Sequence, residues 1–217
     1  MSSLKLLHSG GNSVSLNPPS SAPSSSEVAF KLPNADGSAS QVLKTDGSGN
    51  LSFTTITDTK GVEVADIWRI NTGGTLSTDA TTDFNSNWER ADTYGSGQIG
   101  SGMTESSGVF TFPSTGIYLI TAMMQFKRNS GDNRYANLDL KITTDGGSSY
   151  DVASTGAASF AQDYSTNTAV CNYIFDVTNV STHKVFFSAY TNRSSVLFLA
   201  NSTSNACSFT FIKLGDT

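Results

Sequence analysis

Beyond about residue 60, apolar residues recur at every second position, and no stretch sustains the 3.6-residue apolar period of an amphipathic helix. Asn137–Ile142 is the clearest case: Leu138, Leu140 and Ile142 lie on one side, and Asn137, Asp139 and Lys141 on the other. It closes on the turn Asp145-Gly146-Gly147. The same alternation returns in Ala169, Cys171, Tyr173, Phe175 and Val177, in Val185, Phe187 and Ala189, in Leu197 and Leu199, and in Phe209 and Phe211. Short alternating runs separated by turns predict an all-β sandwich. Charged residues make up only 14% of the chain and it has 19 glycines, a balance suited to short strands and many turns.

The run Ile117–Phe126 breaks the pattern by being apolar on both faces. A strand in a single sandwich buries only its inner face, so the other must meet a covering loop or another subunit. We assign Tyr118, Ile120, Ala122, Met124 and Phe126 to a subunit interface.

Residues 1–59 read as an extended docking arm and 60–217 as a head, with the junction near Thr54–Gly61. Within the arm, Asn17–Ser26 (NPPSSAPSSS) must be extended linker, because proline lacks a backbone donor and serine buries nothing. Around it lie Leu4, Leu6 and Leu7, then Val14 and Leu16, then Val28, Phe30 and Leu32. The last two groups have strand spacing with one apolar face. All eight are candidate docking residues in need of a partner surface.

Several function classes find no support. The net charge is −5 and no basic cluster exceeds the pair Lys127-Arg128, so nucleic acid is not an expected partner. No run approaches the roughly 18 apolar residues of a membrane helix, and the start MSSLKLLHSGG lacks the apolar core of a signal peptide, so neither membrane insertion nor general export is expected. His8 lies in the arm and His183 in a turn, with neither placed to serve Cys171 or a serine nucleophile. The acids are dispersed in turns such as Asp145, Asp151 and Asp163, unlike a glycosidase pair. We therefore assign no catalytic and no metal-binding residues. Cys171 and Cys207 fall in apparent strands. They could face each other across a sandwich, but read first as reduced core thiols.

Three segments together resemble the C1q/TNF-like jelly roll over about Ile67 to Leu214: Trp88-Glu89-Arg90, then Gly108-Val109-Phe110-Thr111-Phe112-Pro113-Ser114-Thr115-Gly116-Ile117-Tyr118, and the closing Ser208-Phe209-Thr210-Phe211. We read Pro113 to Gly116 as a tight hairpin turn that sets Phe110 and Phe112 against the following strand. The resemblance implies a homotrimer. No Gly-X-Y collagen stalk is present, so collagen-linked biology does not carry over. Some heads of this type bind calcium through loop acids, but no spaced Asp/Asn run supports calcium here, and no cofactor is expected. Leu32–Phe53 resembles a segment recurring in phage tail fibres and related virion proteins. Its Asp36-Gly37 and Asp46-Gly47 turns and its Val42, Leu43, Leu51 and Phe53 cluster form a collar that would need copies around an axis to be stable.

The expected protein is an all-β, C1q/TNF-like jelly-roll head behind an extended, turn-rich arm, assembled as a homotrimer. Its expected role is structural: a short phage fibre or spike on the virion, whose arm meets other virion proteins and whose head contacts a host-surface glycan or protein. The candidate contact loops carry Tyr94, Arg134, Tyr135, Tyr150, Tyr164 and Arg193. The alternatives are a capsid or tail decoration (cement) protein and a secreted glycan-binding module. The last predicts a Cys171–Cys207 disulfide.

Overall fold

A computed structural model describes residues 4–17, 19–56, 61–131, 134–192 and 196–217. The chain divides into two compact units, Met1–Thr59 and Lys60–Thr217. The expected junction near Thr54–Gly61 includes residues 57–60, which lie outside the described set.

In the first unit, β1 (Leu4–Leu7) pairs with β2 (Ser13–Leu16), and β3 (Gln41–Thr45) pairs with β4 (Leu51–Thr55), both antiparallel. The register sets Leu4 opposite Leu16 and Leu6 opposite Val14, so these four share one face of the first hairpin. In the second, Leu43 faces Phe53. Lys31 lies alongside this hairpin, its N–H donating to Gly49 O at 2.8 Å and its carbonyl accepting from Leu51 N at 2.9 Å. Asp46 caps the turn, and the Asn50 side-chain amide, then the N–H groups of Ser48 and Asn50, hold its carboxyl below the usual range.

Every regular element described in the second unit is a strand: β5 (Ala65–Ile70), β6 (Thr72–Thr75), β7 (Ala80–Asp83), β8 (Trp88–Arg90), β9 (Thr104–Ser106), β10 (Val109–Thr111), β11 (Gly116–Arg128), β12 (Tyr135–Thr143), β13 (Asp151–Ser159), β14 (Thr166–Val177), β15 (Lys184–Thr191), β16 (Val196–Asn201) and β17 (Cys207–Gly215). They form two facing sheets. One runs β13-β12-β15-β10-β9, with β7 bridging to β15. The other runs β6-β16-β11-β17-β5-β8, with β14 on the opposite edge of β11. This is a jelly-roll sandwich. Val64, Lys213 and Gly215 mark the end of the sandwich at which β5 begins, its proximal end, where Lys213 N–H donates to Val64 O at 2.9 Å. The Arg128 end of β11 is distal.

The core follows from the alternation. Phe110 lies among Trp68, Trp88, Phe187 and Phe211 at ring separations of 4.8 to 5.8 Å, and Phe209 joins Trp88 and Phe187 at 4.6 Å each. These are edge-on and tilted contacts favourable to aromatic quadrupoles.

Two sequence expectations are corrected here. Tyr118, Ile120, Ala122, Met124 and Phe126, assigned to a subunit interface, are fully buried within the single chain's core. Alternation separates two faces but does not say which points inward, and the bulkier set fills the sandwich. Nor is Pro113–Gly116 a hairpin turn: β10 pairs with β9 and β15 in one sheet, whereas β11 belongs to the other, so this segment carries the chain across the sandwich. Phe112, at the crossing, packs on Tyr118 at 4.6 Å. Gly116 has φ +146°, and a Cβ there would lie 2.6 Å from Gly215 O, so only glycine lets β11 start this close to β17.

The sheets also approach closely at one edge, where β13 passes β14. A Cβ on Gly156 would sit 2.2 Å from the Val170 carbonyl oxygen, and backbone cannot yield as a flexible side chain would. Gly156→Val should therefore lower unfolding free energy by about 1–3 kcal/mol or more, as overpacked sites do. Urea denaturation measures this; an unchanged midpoint would contradict the close approach of β13 and β14.

Candidate functional site

The outer face of the β14-β11-β17 sheet is the head's main candidate surface. Because β11 is bonded on both edges, its outward residues line up with those of its neighbours. Ile174, Leu119 and Ile212 form one apolar row across three strands. Val170 and Met123 form a shorter one that ends at Ser208, and Asn172, Thr121 and Thr210 form a polar row between them. Ile174 is 60% exposed and Val170 51%, large apolar side chains left open on an otherwise ordered sheet. This face was missed from sequence. The signal was present in β14, where Val170 and Ile174 stand out of phase with the buried set Ala169, Cys171, Phe175 and Val177.

Beside this face, Arg69 of β5 is 1% exposed and fully engaged. Its Nε donates to Glu89 at 2.6 Å, Nη2 to Asp92 at 2.7 Å and Nη1 to Thr93 Oγ1 at 2.9 Å. Thr93 Oγ1 in turn donates to Thr203 O at 3.3 Å. On the inner side of β5, the buried Asp66 accepts from Trp68 Nε1, Met103 N and the Arg90 guanidinium at 2.7 to 3.1 Å, and Arg90 lies over the Trp68 ring. Trp88, Glu89 and Arg90 thus serve the core, Arg69 and Asp66 in turn, tying down the loop between β8 and β9.

The candidate contact loops are not all brought together. Arg134, Tyr135 and Tyr164 lie at the distal end, where Phe160 N–H donates to Arg134 O at 2.8 Å. Tyr135 is half-buried in β12. Tyr150 is half-buried near the proximal end, its ring 5.7 Å from Phe186. Beside it, Thr143, Ser149 and backbone N–H groups hold the Asp145 carboxyl well below the carboxylate range. Tyr94 stands on the flank of the outer face, 92% exposed, and Arg193 lies outside the described residues. In the arm, Leu4, Leu6, Leu7, Val14, Leu16, Val28, Phe30 and Leu32 are each more than half exposed.

The thiols are poor nucleophiles. Burial first, then Asp139, pushes Cys171 up to about 12. Burial also pushes Cys207 up to about 11, despite its contact with the Ile70 backbone and the nearby Arg69. Nor can they pair. Cys171 sits opposite Ala122 on one edge of β11 and Cys207 opposite Met124 on the other, two strand spacings across and two residues along, so more than about 9.5 Å apart and beyond the roughly 7 Å a disulfide spans. His183 stacks on Phe175 and contacts the Thr178 and Thr182 hydroxyls. Among the described residues, no group of three His, Cys, Asp or Glu side chains could hold a metal. A depression of about 640 Å³ beside β16 is lined by Gln125, Phe198, Asn201 and Ser204, with no ionisable side chain among its walls.

No protein-family model matches the chain, and no curated protein matches it in sequence. Its fold is similar to solved structures. The Eiger TNF of S. frugiperda superposes with a TM-score of 0.53 at 15% identity, covering 72% of this chain and 96% of that one. Murine APRIL at pH 5.0 gives 0.50 at 14% identity, covering 70% and 98%. The head has a TNF-like jelly-roll fold.

The thiol geometry has a direct consequence. Cys171 and Cys207 should resist a thiol-specific reagent at pH 8 in the folded protein and both react once it is unfolded, whether or not reductant was present. Prompt labelling of the native protein, or a mass showing loss of two hydrogens, would contradict the assignment.

Proposed function

We propose that this protein is a non-enzymatic virion component of a tailed phage: a short trimeric fibre or spike whose arm docks on the particle and whose head meets the host surface. The carrying observation is the pair of apolar rows, Ile174-Leu119-Ile212 and Val170-Met123, open on the outer face of a TNF-like sandwich. Burying such rows against further copies removes their apolar area from water at about 25 cal/mol per Å², and the C1q/TNF resemblance implies that the copies number three. This face replaces the inward set Tyr118 to Phe126 as the trimer contact.

The arm supports the virion reading. One hairpin carries Leu4, Leu6, Val14 and Leu16 on a single open face, and neither small hairpin has a core of its own, so each needs a host surface. The likeness of Leu32–Phe53 to tail-fibre segments points the same way. A cement role has one observation in its favour. The arm's apolar side chains are divided between β1-β2 and residues 28–32, with the Pro/Ser linker between, which suits threading among several subunits. The secreted-module reading loses the Cys171–Cys207 disulfide it predicted.

Two measurements test the proposal. Light scattering on the full chain should give three times 22.9 kDa. Val170→Asp and Met123→Asp should give folded monomers, since Val170 is open in the single chain, whereas Met124→Asp should fail to fold. A wild-type monomer, or intact trimers of both outer-face variants, would overturn the interface. Electron microscopy of the particle should show three arms converging on one socket with the heads free; arms woven among shell subunits with the heads lying flat would make this a cement protein.

A further inference from the structure

Two tyrosines of the head, Tyr94 and Tyr164, are presented in the same unusual way. Six non-glycine residues described here have positive φ, and four are small and polar: Ser40, Asp79, Asn87 and Ser107. The other two are Tyr94 at φ +55° and Tyr164 at +61°. An aromatic residue is a poor occupant of the left-handed region, where asparagine or glycine would sit without strain. Both rings also project into solvent, 92% and 67% exposed, while the other five tyrosines are buried or half-buried.

Each ring sits on a tight turn whose neighbours are fixed. Ser96 N–H donates to Thr93 O at 3.1 Å, and Tyr94 and Gly95 take the two positive-φ positions of a type I′ turn. Ser165 closes the second turn on Gln162 O, through its hydroxyl at 2.7 Å and its N–H at 3.4 Å. An aspartate one or two residues before each tyrosine is ion-paired to an arginine at least half-buried. Arg69 holds Asp92 at 2.7 Å and Thr93 at 2.9 Å; Arg128, its side chain 14% exposed, holds Asp163 at 2.9 Å. The Arg128 N–H also donates to Ser165 O at 3.0 Å. The backbone under each ring is thus held by its neighbours.

The surroundings define the ligand chemistry. Around Tyr94 lie Gly95, Ser96, Gly97 and Gln98, and around Tyr164 lie Gln162, Ser165, Thr166 and Asn167. The charges in these two loops, Asp92 and Asp163, are paired. An aromatic ring on a closed turn among hydroxyl and amide groups suits a ligand with C–H faces and many hydroxyls. Neither loop carries a basic residue of its own for a phosphate, although Lys127 lies opposite Thr166 and Arg134 stands at the same end as Tyr164.

We propose that Tyr94 and Tyr164 are glycan-contact residues, each stacking on a sugar ring of a neutral oligosaccharide; this rests on the reading that the head meets a host surface. Weak contacts repeated on three heads would add through avidity. The test uses the full-length protein on an array of galactose-, glucose- and mannose-terminated neutral oligosaccharides beside sialylated and sulfated ones. Asparagine tolerates left-handed backbone, so Tyr94→Asn and Tyr164→Asn should keep the wild-type mass and melting temperature. Each should weaken binding to the neutral glycans roughly tenfold or more, and the double variant should abolish it. Wild-type binding confined to charged glycans, no binding to any glycan, or variants that bind like wild type would overturn the assignment. None of these results touches the adsorption reading, which fails separately if microscopy finds the heads lying against the shell.

Discussion

Strand β11 is bonded along both edges, to β14 over its whole length and to β17 and then β16 on the other side. That double pairing fixes everything around it. The inner residues, Tyr118 to Phe126, are pressed into the sandwich, where they meet Phe112, Phe211 and the rest of the aromatic core. The outer residues are aligned with those of two neighbours into rows. Because neighbouring strands hold their side chains about 5 Å apart, single apolar residues on three strands become a continuous surface. The same strand therefore builds the core and the face through which copies of the head are proposed to meet.

Polar side chains set the edges of this surface. Asp66 and Arg69, three residues apart in β5, point to opposite faces, and each is satisfied by several partners. A buried ion left with one partner missing is costly, so the segment from Trp88 to Met103 is tied to β5 at both faces. The loop bearing Tyr94 is consequently rigid at its base, although its tip is open. Arg128 likewise reaches the loop bearing Tyr164, through an ion pair to Asp163 and its backbone N–H to the Ser165 carbonyl.

The arm follows a different logic. Its two hairpins are built on five-residue turns ending in Gly-Asn, Gly11-Asn12 and Gly49-Asn50, with the glycine at φ +85° in each. Such hairpins hold their own backbone bonds but bury little. Leu4, Leu6, Val14 and Leu16 of the first stay largely exposed.

The sequence by itself determined that the head is all-β, where most of its long strands lie, and that the chain before residue 60 differs from the chain after it, because period-two alternation and Pro/Ser punctuation are local properties. It also showed that β11 is apolar on both sides. Which side points inward was decided only by tertiary structure, since alternation is symmetric and both faces of β11 are largely apolar. Pro113 to Gly116 looked like a hairpin for the same reason: a turn's residues do not state whether the next strand pairs with the last or crosses to the facing sheet. The separation of Cys171 from Cys207, the outer rows of Ile174 and Val170, and the shared construction of the Tyr94 and Tyr164 loops all depend on which strands are neighbours. That is settled by long-range pairing across the whole head, and no local pattern encodes it.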